Sequence, residues 1–176
     1  MVNITIWYRK GKIMEYAMSP ISNEDRKSIM DIFNHYVENS YAAYPETKLP
    51  YEAFDMFLQM AQGYPTAKVK DKNGRVVGFG LLRSHNPMPA FSKTAEITYF
   101  IHPDHTGKGI GTKLLRLLEK EGMQKGITNI LANISSLNPR SVDFHKKNGF
   151  IECGRFKNVG SKKGKLFDTV WMQKML

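Results

Sequence analysis

The sequence predicts a single-domain α/β (α+β) fold, in which a mixed sheet of about six to seven strands is flanked by about four helices. Segments rich in β-branched and aromatic residues alternate with segments whose apolar residues recur at helical spacing. One strand-like segment, residues 94–101, leads through a glycine-rich turn directly into an amphipathic helix. The chain has 176 residues, of which 41% are apolar and 24% charged, and it lacks a long apolar run. These values are typical of one globular domain with a sizeable core.

Each element follows from a local signal. Ser22 followed by Asp25 is an N-cap signal, and Pro50 suits the first turn of a second helix. Asn73 and Gly74 form a hairpin signal between two β-rich segments. In chain order, the predicted elements are a strand at 12–18, a helix whose apolar face comprises Ile29, Ile32, Phe33, Tyr36 and Val37, a helix after residue 50, a hairpin of strands 66–69 and 76–82, the strand 94–101, a helix of about four turns after it, a strand at 127–134, a helix at 139–147, and strands near 150–159 and 167–172.

The turn after the central strand has the composition of an anion-binding loop. Gly107, Gly109 and Gly111 alternate with Lys108 and Ile110, so backbone N–H groups can approach an anion without obstruction by Cβ atoms. The first turn of the following helix adds unpaired N–H donors and the positive end of the helix dipole. The spacing matches neither the P-loop nor the dinucleotide-binding glycine pattern. The turn therefore predicts a phosphate site of another kind.

A second motif, N-P-R-S-V-D-F-H-K-K-N-G-F at 138–150, gives this turn its context. A strand, an x-x-G-x-G turn, a helix, a further strand and this motif, in that order, resemble the Gcn5-related N-acetyltransferase (GNAT) family. The segments T-A-E-I-T-Y-F, F-H-K-K-N-G-F and G-S-K-K-G-K-L-F-D are most similar to its phosphinothricin acetyltransferase-like subgroup. The resemblance begins near residue 14, so we expect an N-terminal extension at 1–13 and an N-acetyltransferase domain at 14–176. It also implies a sheet that splays at its central strand.

The resemblance implies an activity and a set of contacts. The expected reaction is acetyl-CoA-dependent transfer of an acetyl group to the amine of a small molecule, an amino acid or an analogue similar to phosphinothricin or methionine sulfoximine. Direct attack in a ternary complex is expected, because the only cysteine lies outside the turn motif. The histidines lack metal-ligand spacing, so no metal is expected. By position, Phe91 and Glu96 would contact the acceptor, and acetyl-CoA would contact Tyr99, Phe100, Ile101, Gly107, Lys108, Gly109, Ile110, Gly111, Thr112 and Asn138.

Two residues are candidates for the proton transfers. A primary amine is protonated near neutral pH and must lose a proton before it can attack a thioester. The resemblance assigns this step to Glu96. His145 stands where many relatives have a tyrosine that protonates the leaving thiolate, and a histidine titrates near neutrality. Which of the two residues is the base stays open at this point.

The chain departs from the family pattern at positions that concern anions. Thr106 replaces a common Arg or Gln in the turn, which shifts phosphate binding to the backbone and Lys108. Met88 and Ser92 stand where relatives often have arginines. A desolvated anionic side chain of the acceptor would lack those partners. We therefore expect neutral acceptor side chains to be preferred over phosphinothricin, unless Arg83, Lys93 or a second subunit supplies a cation.

Two alternative functions remain. A protein N-terminal acetyltransferase of the ribosomal-protein type would need an open peptide groove beside residues 88–92. Lys and Arg exceed Asp and Glu by ten, which favours an anionic partner such as coenzyme A. A basic nucleic-acid-binding module would also explain this excess, but the basic residues are dispersed and not interleaved with aromatics on one face. We consider it the less favoured alternative.

The remaining expectations concern location and assembly. The first twelve residues are too short and polar for a secretory signal, and we expect no membrane association. A single cysteine, Cys153, excludes an intrachain disulfide, so a reducing, cytoplasmic location is expected. As a strand residue beside Gly154, Cys153 is expected to be packed. Relatives of the subgroup suggest a homodimer.

Overall fold

The computed structural model describes residues 3–9 and 12–176, with side chains from residue 16 onward. Eight strands form one sheet in the order β1-β2-β3-β4-β5-β6-β8-β7. The strands are β1 (Asn3–Arg9), β2 (Lys12–Ser19), β3 (Thr66–Lys70), β4 (Val76–Ser84), β5 (Thr94–Ile101), β6 (Asn129–Ser135), β7 (Ile151–Lys162) and β8 (Lys165–Met175). The α-helices are α1 (Arg26–Asn39), α2 (Phe54–Met60), α3 (Ile110–Gln124) and α4 (Pro139–Lys147). A search of the described residues finds no helix of the length and apolar character that a membrane crossing requires.

The sheet opens at its centre. β5 is antiparallel to β4 and pairs with it from Ala95 to Ile101. It is parallel to β6 over only three residue pairs, which end at Glu96 and Leu131. β6 stays paired with β8 as far as Ser135, so β5 and β6 diverge beyond Glu96. The predicted splay at the central strand is confirmed.

Helices cover both faces of the sheet. On one face α3 packs against β3, β4 and β5, and α4 packs against β6. The core of this face includes Leu114 and Leu118, and a Cβ at Gly80 would lie only 3.0 Å from Leu118. On the other face α1 packs against β4 and β5, with Phe33 and Phe79 in its core. Because side chains alternate along a strand, neighbouring residues of β5 face these two different layers.

The N-terminal segment forms a strand that the sequence analysis did not predict. β1 pairs with β2 in antiparallel register, from Asn3 opposite Met18 to Arg9 opposite Lys12. The sheet thus has eight strands, and seven when counted from β2. The predicted sheet and its four helices are otherwise confirmed. The boundary at residues 13 and 14 falls within β2 and stays a prediction.

The opposite edge of the sheet is formed by β7. Its one partner among the described strands is β8, and residues 151–159 are all exposed. Ile151 and Phe156 are 67% and 59% exposed. The expectation that Cys153 is packed was wrong: it is exposed, because it lies on this edge strand. A β-rich composition does not distinguish an edge strand from a central one.

Candidate active site

The glycine turn has the shape that a phosphate group requires. Gly107 and Gly109 have φ angles of 67° and 83°, in the left-handed region that favours glycine. A Cβ at either position would meet nothing within 4 Å, so the space beside the turn is open. α3 begins at Ile110, which is 1% exposed and anchors the turn to the core. Open space, an N-terminal helical turn and exposed main chain together fit an anionic group.

The charged residues of the turn are fixed by the backbone and by burial. Nζ of Lys108 donates a hydrogen bond to the carbonyl oxygen of Asp104 at 2.6 Å. Burial lowers the pKa of Lys113 in the first turn of α3. Thr112 lies between them on the same turn, half-buried. Lys108 thus places a cation close to the glycines, where a phosphate would lie.

Beyond Glu96, β5 presents main-chain groups to the gap beside β6. The N–H of His102 donates to the carbonyl of Val77 on the β4 side. Since successive residues of a strand point their main-chain groups to opposite neighbours, Tyr99 and Ile101 point theirs into the gap. Those of Phe100 point to β4. The Tyr36 hydroxyl already donates to the Ile101 carbonyl, so an extended molecule could pair with the main-chain groups of Tyr99 and with the N–H of Ile101 as though it were an added strand.

His145 lies beside Tyr99 on the α3 and α4 side of the sheet. Its Nε2 lies 2.7 Å from the Tyr99 hydroxyl, and its Nδ1 lies 2.7 Å from the carbonyl oxygen of Ser141. A carbonyl only accepts, so Nδ1 carries the hydrogen and Nε2 accepts from Tyr99. Burial lowers the pKa of His145 and raises that of Tyr99 well above its ordinary value. The neutral imidazole thus holds α4 against β5 where the sheet opens.

Glu96 lies on the other face of β5 and has two partners of its own. Nη2 of Arg83 lies 2.5 Å from Oε2, and Nδ1 of His85 lies 2.9 Å from Oε1. The Glu96 side chain is only 13% exposed. Phe91 and Trp171 each contact the ring of His85 at right-angled geometry, with centroids 6.0 and 6.1 Å apart. Glu96 and Phe91, both expected at the acceptor, are thereby linked through His85.

A second wall of this region comes from the loop between α1 and α2. The Tyr44 hydroxyl donates a hydrogen bond to Oδ1 of Asn133 on β6. Its ring stacks on Phe167 of β8 with centroids 5.5 Å apart. Burial of the hydroxyl raises the pKa of Tyr44 to about 12, which keeps it a donor. Asn133 and Trp171 are paired in register on β6 and β8, so this wall adjoins the ring of His85.

The structure separates the predicted site residues into two groups. Tyr99, His145 and the glycine turn lie on the α3 and α4 side, whereas Glu96 lies on the other face. Asn138 caps α4, where its side chain accepts from the N–H of Ser141 at 3.4 Å. Among the described side chains, no group of three or more His, Cys, Asp or Glu could hold a metal ion.

Sequence reasoning missed part of the region around Glu96. It did not find His85, Tyr44, Asn133 or Trp171, because these residues come from four separate segments and form no local motif. Arg83 was considered only as a replacement cation. One signal was available for it: an antiparallel pairing of the predicted strands places Arg83 directly opposite Glu96.

The comparisons with known proteins identify the family. The family model described as the acetyltransferase (GNAT) family matches residues 26–150. An L-methionine sulfoximine/L-methionine sulfone acetyltransferase of Pseudomonas aeruginosa is 30% identical over 151 residues, which are 85% of this chain and 88% of that protein.

Two solved structures resemble the whole fold. A phosphinothricin acetyltransferase from Sinorhizobium meliloti, in complex with acetyl-CoA, has a TM-score of 0.86 and 29% identity, covering 92% of this chain and 88% of that chain. A ribosomal-protein-alanine N-acetyltransferase from Brucella melitensis has a TM-score of 0.83 and 30% identity, covering 90% and 99%. The chain belongs to the GNAT family, in its phosphinothricin acetyltransferase-like subgroup, and is an acetyl-CoA-dependent N-acetyltransferase.

Proposed function

We propose that the acceptor is a small amino acid or amino-acid analogue, acetylated on its amine by direct attack on acetyl-CoA. The observation that carries this proposal is the pair of charges where the sheet opens. Glu96 offers an anion to an ammonium group. Arg83 offers a cation to a carboxylate, and its Nε is buried without a hydrogen-bond partner among the described residues. The Arg83 side chain is 36% exposed, so the remaining N–H donors of its guanidinium can bind the carboxylate of an amino acid.

The same pair supports a preference for neutral acceptor side chains. Met88 and Ser92 are exposed and stand where relatives often have arginines. Methionine and serine carry no charge, so neither residue supplies a cation. If Arg83 binds the α-carboxylate, a second acidic group such as that of phosphinothricin would lack a partner. The methionine sulfoximine and methionine sulfone of the Pseudomonas relative are acceptors without a second acidic group.

The proposed contacts with acetyl-CoA come from the glycine turn and from the main chain of β5. The turn at Gly107, Lys108 and Gly109 would bind the phosphates, with Ile110, Gly111 and Thr112 forming the helix start. The main-chain groups of Tyr99 and the N–H of Ile101 would pair with the extended arm of the cosubstrate, and Phe100 would lie behind them. Asn138 would contact the cosubstrate from the N-terminal end of α4. Such N–H groups can also stabilise negative charge that develops on the carbonyl oxygen. Direct attack uses no protein nucleophile: the single cysteine, Cys153, lies outside the glycine turn, and its Sγ donates to the carbonyl oxygen of Trp171.

The alternative acceptor is a protein N-terminus, and the Brucella structure is the observation in its favour. A peptide would need an open groove along the acceptor side. Tyr44 crosses this region, stacked on Phe167 and bonded to Asn133, and this bridge supports a small molecule instead. A nucleic-acid-binding module would account for the excess of Lys and Arg, but the basic residues are dispersed along the sequence, and we do not propose it.

We also propose a cytoplasmic homodimer that uses β7. This edge of twelve residues contains no proline and exposes Ile151, Phe156 and Val159. Unprotected edges of this kind are normally covered, and a second copy can do so by isologous pairing. The exposed thiol of Cys153 is compatible with a reducing compartment.

A panel assay tests the function. Purified protein is mixed with acetyl-CoA and a panel of amino acids, amino-acid amides, simple amines and N-terminal peptides, and released thiol is measured. We expect the highest kcat/KM for neutral L-amino acids or their analogues. A preference for peptides would favour the alternative acceptor, and a preference for phosphinothricin would overturn the inference from Met88 and Ser92. Sedimentation at several concentrations tests the dimer.

A further inference from the structure

His85 is bound to the carboxylate that faces the acceptor, and this contact fixes its protonation. Its Nδ1 lies 2.9 Å from Oε1 of Glu96, while Arg83 is bound to Oε2. A carboxylate ionised beside a guanidinium only accepts hydrogen bonds. Nδ1 therefore carries the hydrogen of the neutral imidazole. The lone pair lies on Nε2, at the opposite side of the ring.

Nε2 of His85 is available to a ligand. Across residues 16–176, the one hydrogen bond found for the His85 side chain involves Nδ1. Phe91 and Trp171 hold the ring edge to face, which limits its rotation. The side chain is 30% exposed. Nε2 can therefore meet an acceptor amine and also return a proton to water.

Glu96 is less suited to take the proton itself. A proton on Oε2 would displace the charge-assisted bond to Arg83, and a proton on Oε1 would displace the bond to His85. The imidazole of His85 can instead accept a proton at Nε2 while Nδ1 keeps its bond to the carboxylate. A carboxylate that fixes its tautomer and stabilises the imidazolium is a known arrangement for general-base catalysis. The geometry thus separates the roles of the two residues.

We propose that His85 is the general base of acetyl transfer and that Glu96 is its positioning residue, an inference that rests on the function proposed above. Nε2 takes one proton from the ammonium group of the acceptor. The neutral nitrogen then forms a bond to the acetyl carbon, and the C–S bond breaks with its electron pair on sulfur. The surplus proton left on nitrogen moves to the thiolate. The imidazolium releases its proton to water, so one proton is released per turnover.

Kinetics of matched glutamine variants test the assignment. We expect His85→Gln to lower kcat by about a hundredfold or more, the usual range for a general base, with the dissociation constant for acetyl-CoA unchanged by calorimetry. Glu96→Gln is expected to lower kcat as well. The control is His35→Gln, an exposed histidine on α1, which should retain wild-type kcat. Equal kcat in wild type and His85→Gln would overturn the inference and leave the proposed function intact.

The pH profile and chemical rescue distinguish a base from a structural residue. The charged groups bound around His85 are Glu96 and Arg83, and Phe91 and Trp171 do not titrate. In the wild type, kcat/KM should fall as the pH decreases and the base becomes protonated; this fall is the acidic limb of the profile. We expect it to vanish in His85→Gln. In Glu96→Gln it should move to lower pH, because the anion that stabilises the imidazolium is lost. Added imidazole should restore part of the rate of His85→Ala. A limb that persists in His85→Gln and vanishes in Glu96→Gln would make Glu96 the base.

A spectroscopic test needs no turnover. In ¹⁵N-labelled protein, the ring signals that disappear in His85→Gln should report a hydrogen on Nδ1 and none on Nε2. A hydrogen on Nε2 would overturn the inference whatever the activity. A wild-type protein that binds acetyl-CoA but acetylates no amine would instead overturn the proposed function, and with it the role of His85.

Discussion

Nζ of Lys162 donates a hydrogen bond to the carbonyl oxygen of Ala43 at 2.6 Å, although the two residues are 119 positions apart in the chain. The same ammonium group donates to the carbonyls of Val37 and Ser40 at 2.7 and 2.9 Å. Lys162 is fully buried, and burial lowers its pKa. It ties the tip of the β7–β8 hairpin to the loop that contains Tyr44, part of the proposed acceptor wall.

Lys162→Met tests this link. The substitution keeps an unbranched apolar stem but leaves three carbonyl groups without their donor. We expect the free energy of unfolding to fall by about 3 kcal/mol, in line with the penalty for buried unpaired polar groups. The KM for the amino-acid acceptor should rise because Tyr44 is less fixed, whereas the dissociation constant for acetyl-CoA should not change. Urea unfolding and steady-state kinetics measure both effects.

The control for this variant is Lys165→Met, an exposed lysine at the start of β8. It should show wild-type stability and KM. A Lys162→Met protein with unchanged KM but lower stability would contradict the role in the acceptor site and leave only a structural one.

The glycine turn allows a matched pair of valine variants. Gly109→Val should raise the dissociation constant for acetyl-CoA, because Cβ and the methyl groups would fill the open space beside the turn. Its φ of 83° also strains valine, so some stability is lost. Gly63 has nearly the same φ, 84°, and the same open surroundings. It follows α2 and is not part of the glycine turn. Calorimetry on folded variants measures the binding.

Gly63→Val should therefore lose comparable stability and keep wild-type affinity for acetyl-CoA. Gly111→Val is a further case, because its Cβ would lie 3.2 Å from the ring of Phe144 and would disturb the packing of α3 against α4. If Gly109→Val binds acetyl-CoA as tightly as Gly63→Val, the turn does not hold the cosubstrate.

The elements that the sequence predicted best are those with strong local signals. The capping signal at Ser22 and Asp25 is confirmed by a 2.8 Å hydrogen bond from the Ser22 N–H to the Asp25 carboxylate. The central strand at 94–101 and the helix at 139–147 are confirmed as well. Periodicity and caps are local properties, and a single sequence contains them. The β1 strand was missed because the family resemblance starts after it.

The acceptor side was less accessible to sequence reasoning. The contact of His85 with Glu96 joins the residue that follows β4 to β5, and the contact of Trp171 with His85 adds β8. Such contacts depend on register and on the order β4-β5-β6-β8, which no short motif encodes. The Ser141 carbonyl is a local partner of His145, four residues before it on α4. Tyr99, which occupies the other ring nitrogen, is 46 positions away and is given by tertiary structure alone.

Burial of His145 predicts a pH dependence of stability. Its pKa is lowered in the folded state, whereas the unfolded chain protonates near pH 6.5. Below that pH the unfolded state binds more protons than the folded state, so the free energy of unfolding falls as pH decreases. The loss begins near pH 6.5 and is complete below the lowered pKa. Urea unfolding between pH 7.5 and 5 measures it.

His145→Phe provides the comparison. The variant should be less stable at pH 7.5, because the Tyr99 hydroxyl loses its acceptor, and its stability should depend less on pH. Some dependence should persist, since the pKa of His105 is lowered too, by burial and by Lys108. Asp25, whose pKa is lowered, acts only in a more acidic range. An unchanged slope in His145→Phe would contradict a neutral, buried His145.

Arg83 gives the sharpest test of the acceptor class. Its Nη2 is bound to Glu96 and its Nη1 lies 3.7 Å from the sulfur of Met60, but a guanidinium has five N–H donors, so this side chain, 36% exposed, keeps donors for an acceptor carboxylate. We expect Arg83→Gln to raise the KM of an L-amino acid at least about tenfold, the effect of losing one charge-assisted hydrogen bond. The KM of the corresponding amino-acid amide should change little.

The comparison of acid with amide separates this effect from the loss of support for Glu96, which would lower kcat for both acceptors alike. Lys93→Gln is the control, because Lys93 is exposed and is the other cation considered for this role. It should leave the ratio of the two KM values at the wild-type level. If Arg83→Gln lowers kcat/KM equally for acid and amide, Arg83 serves only Glu96, and the carboxylate of the acceptor binds elsewhere.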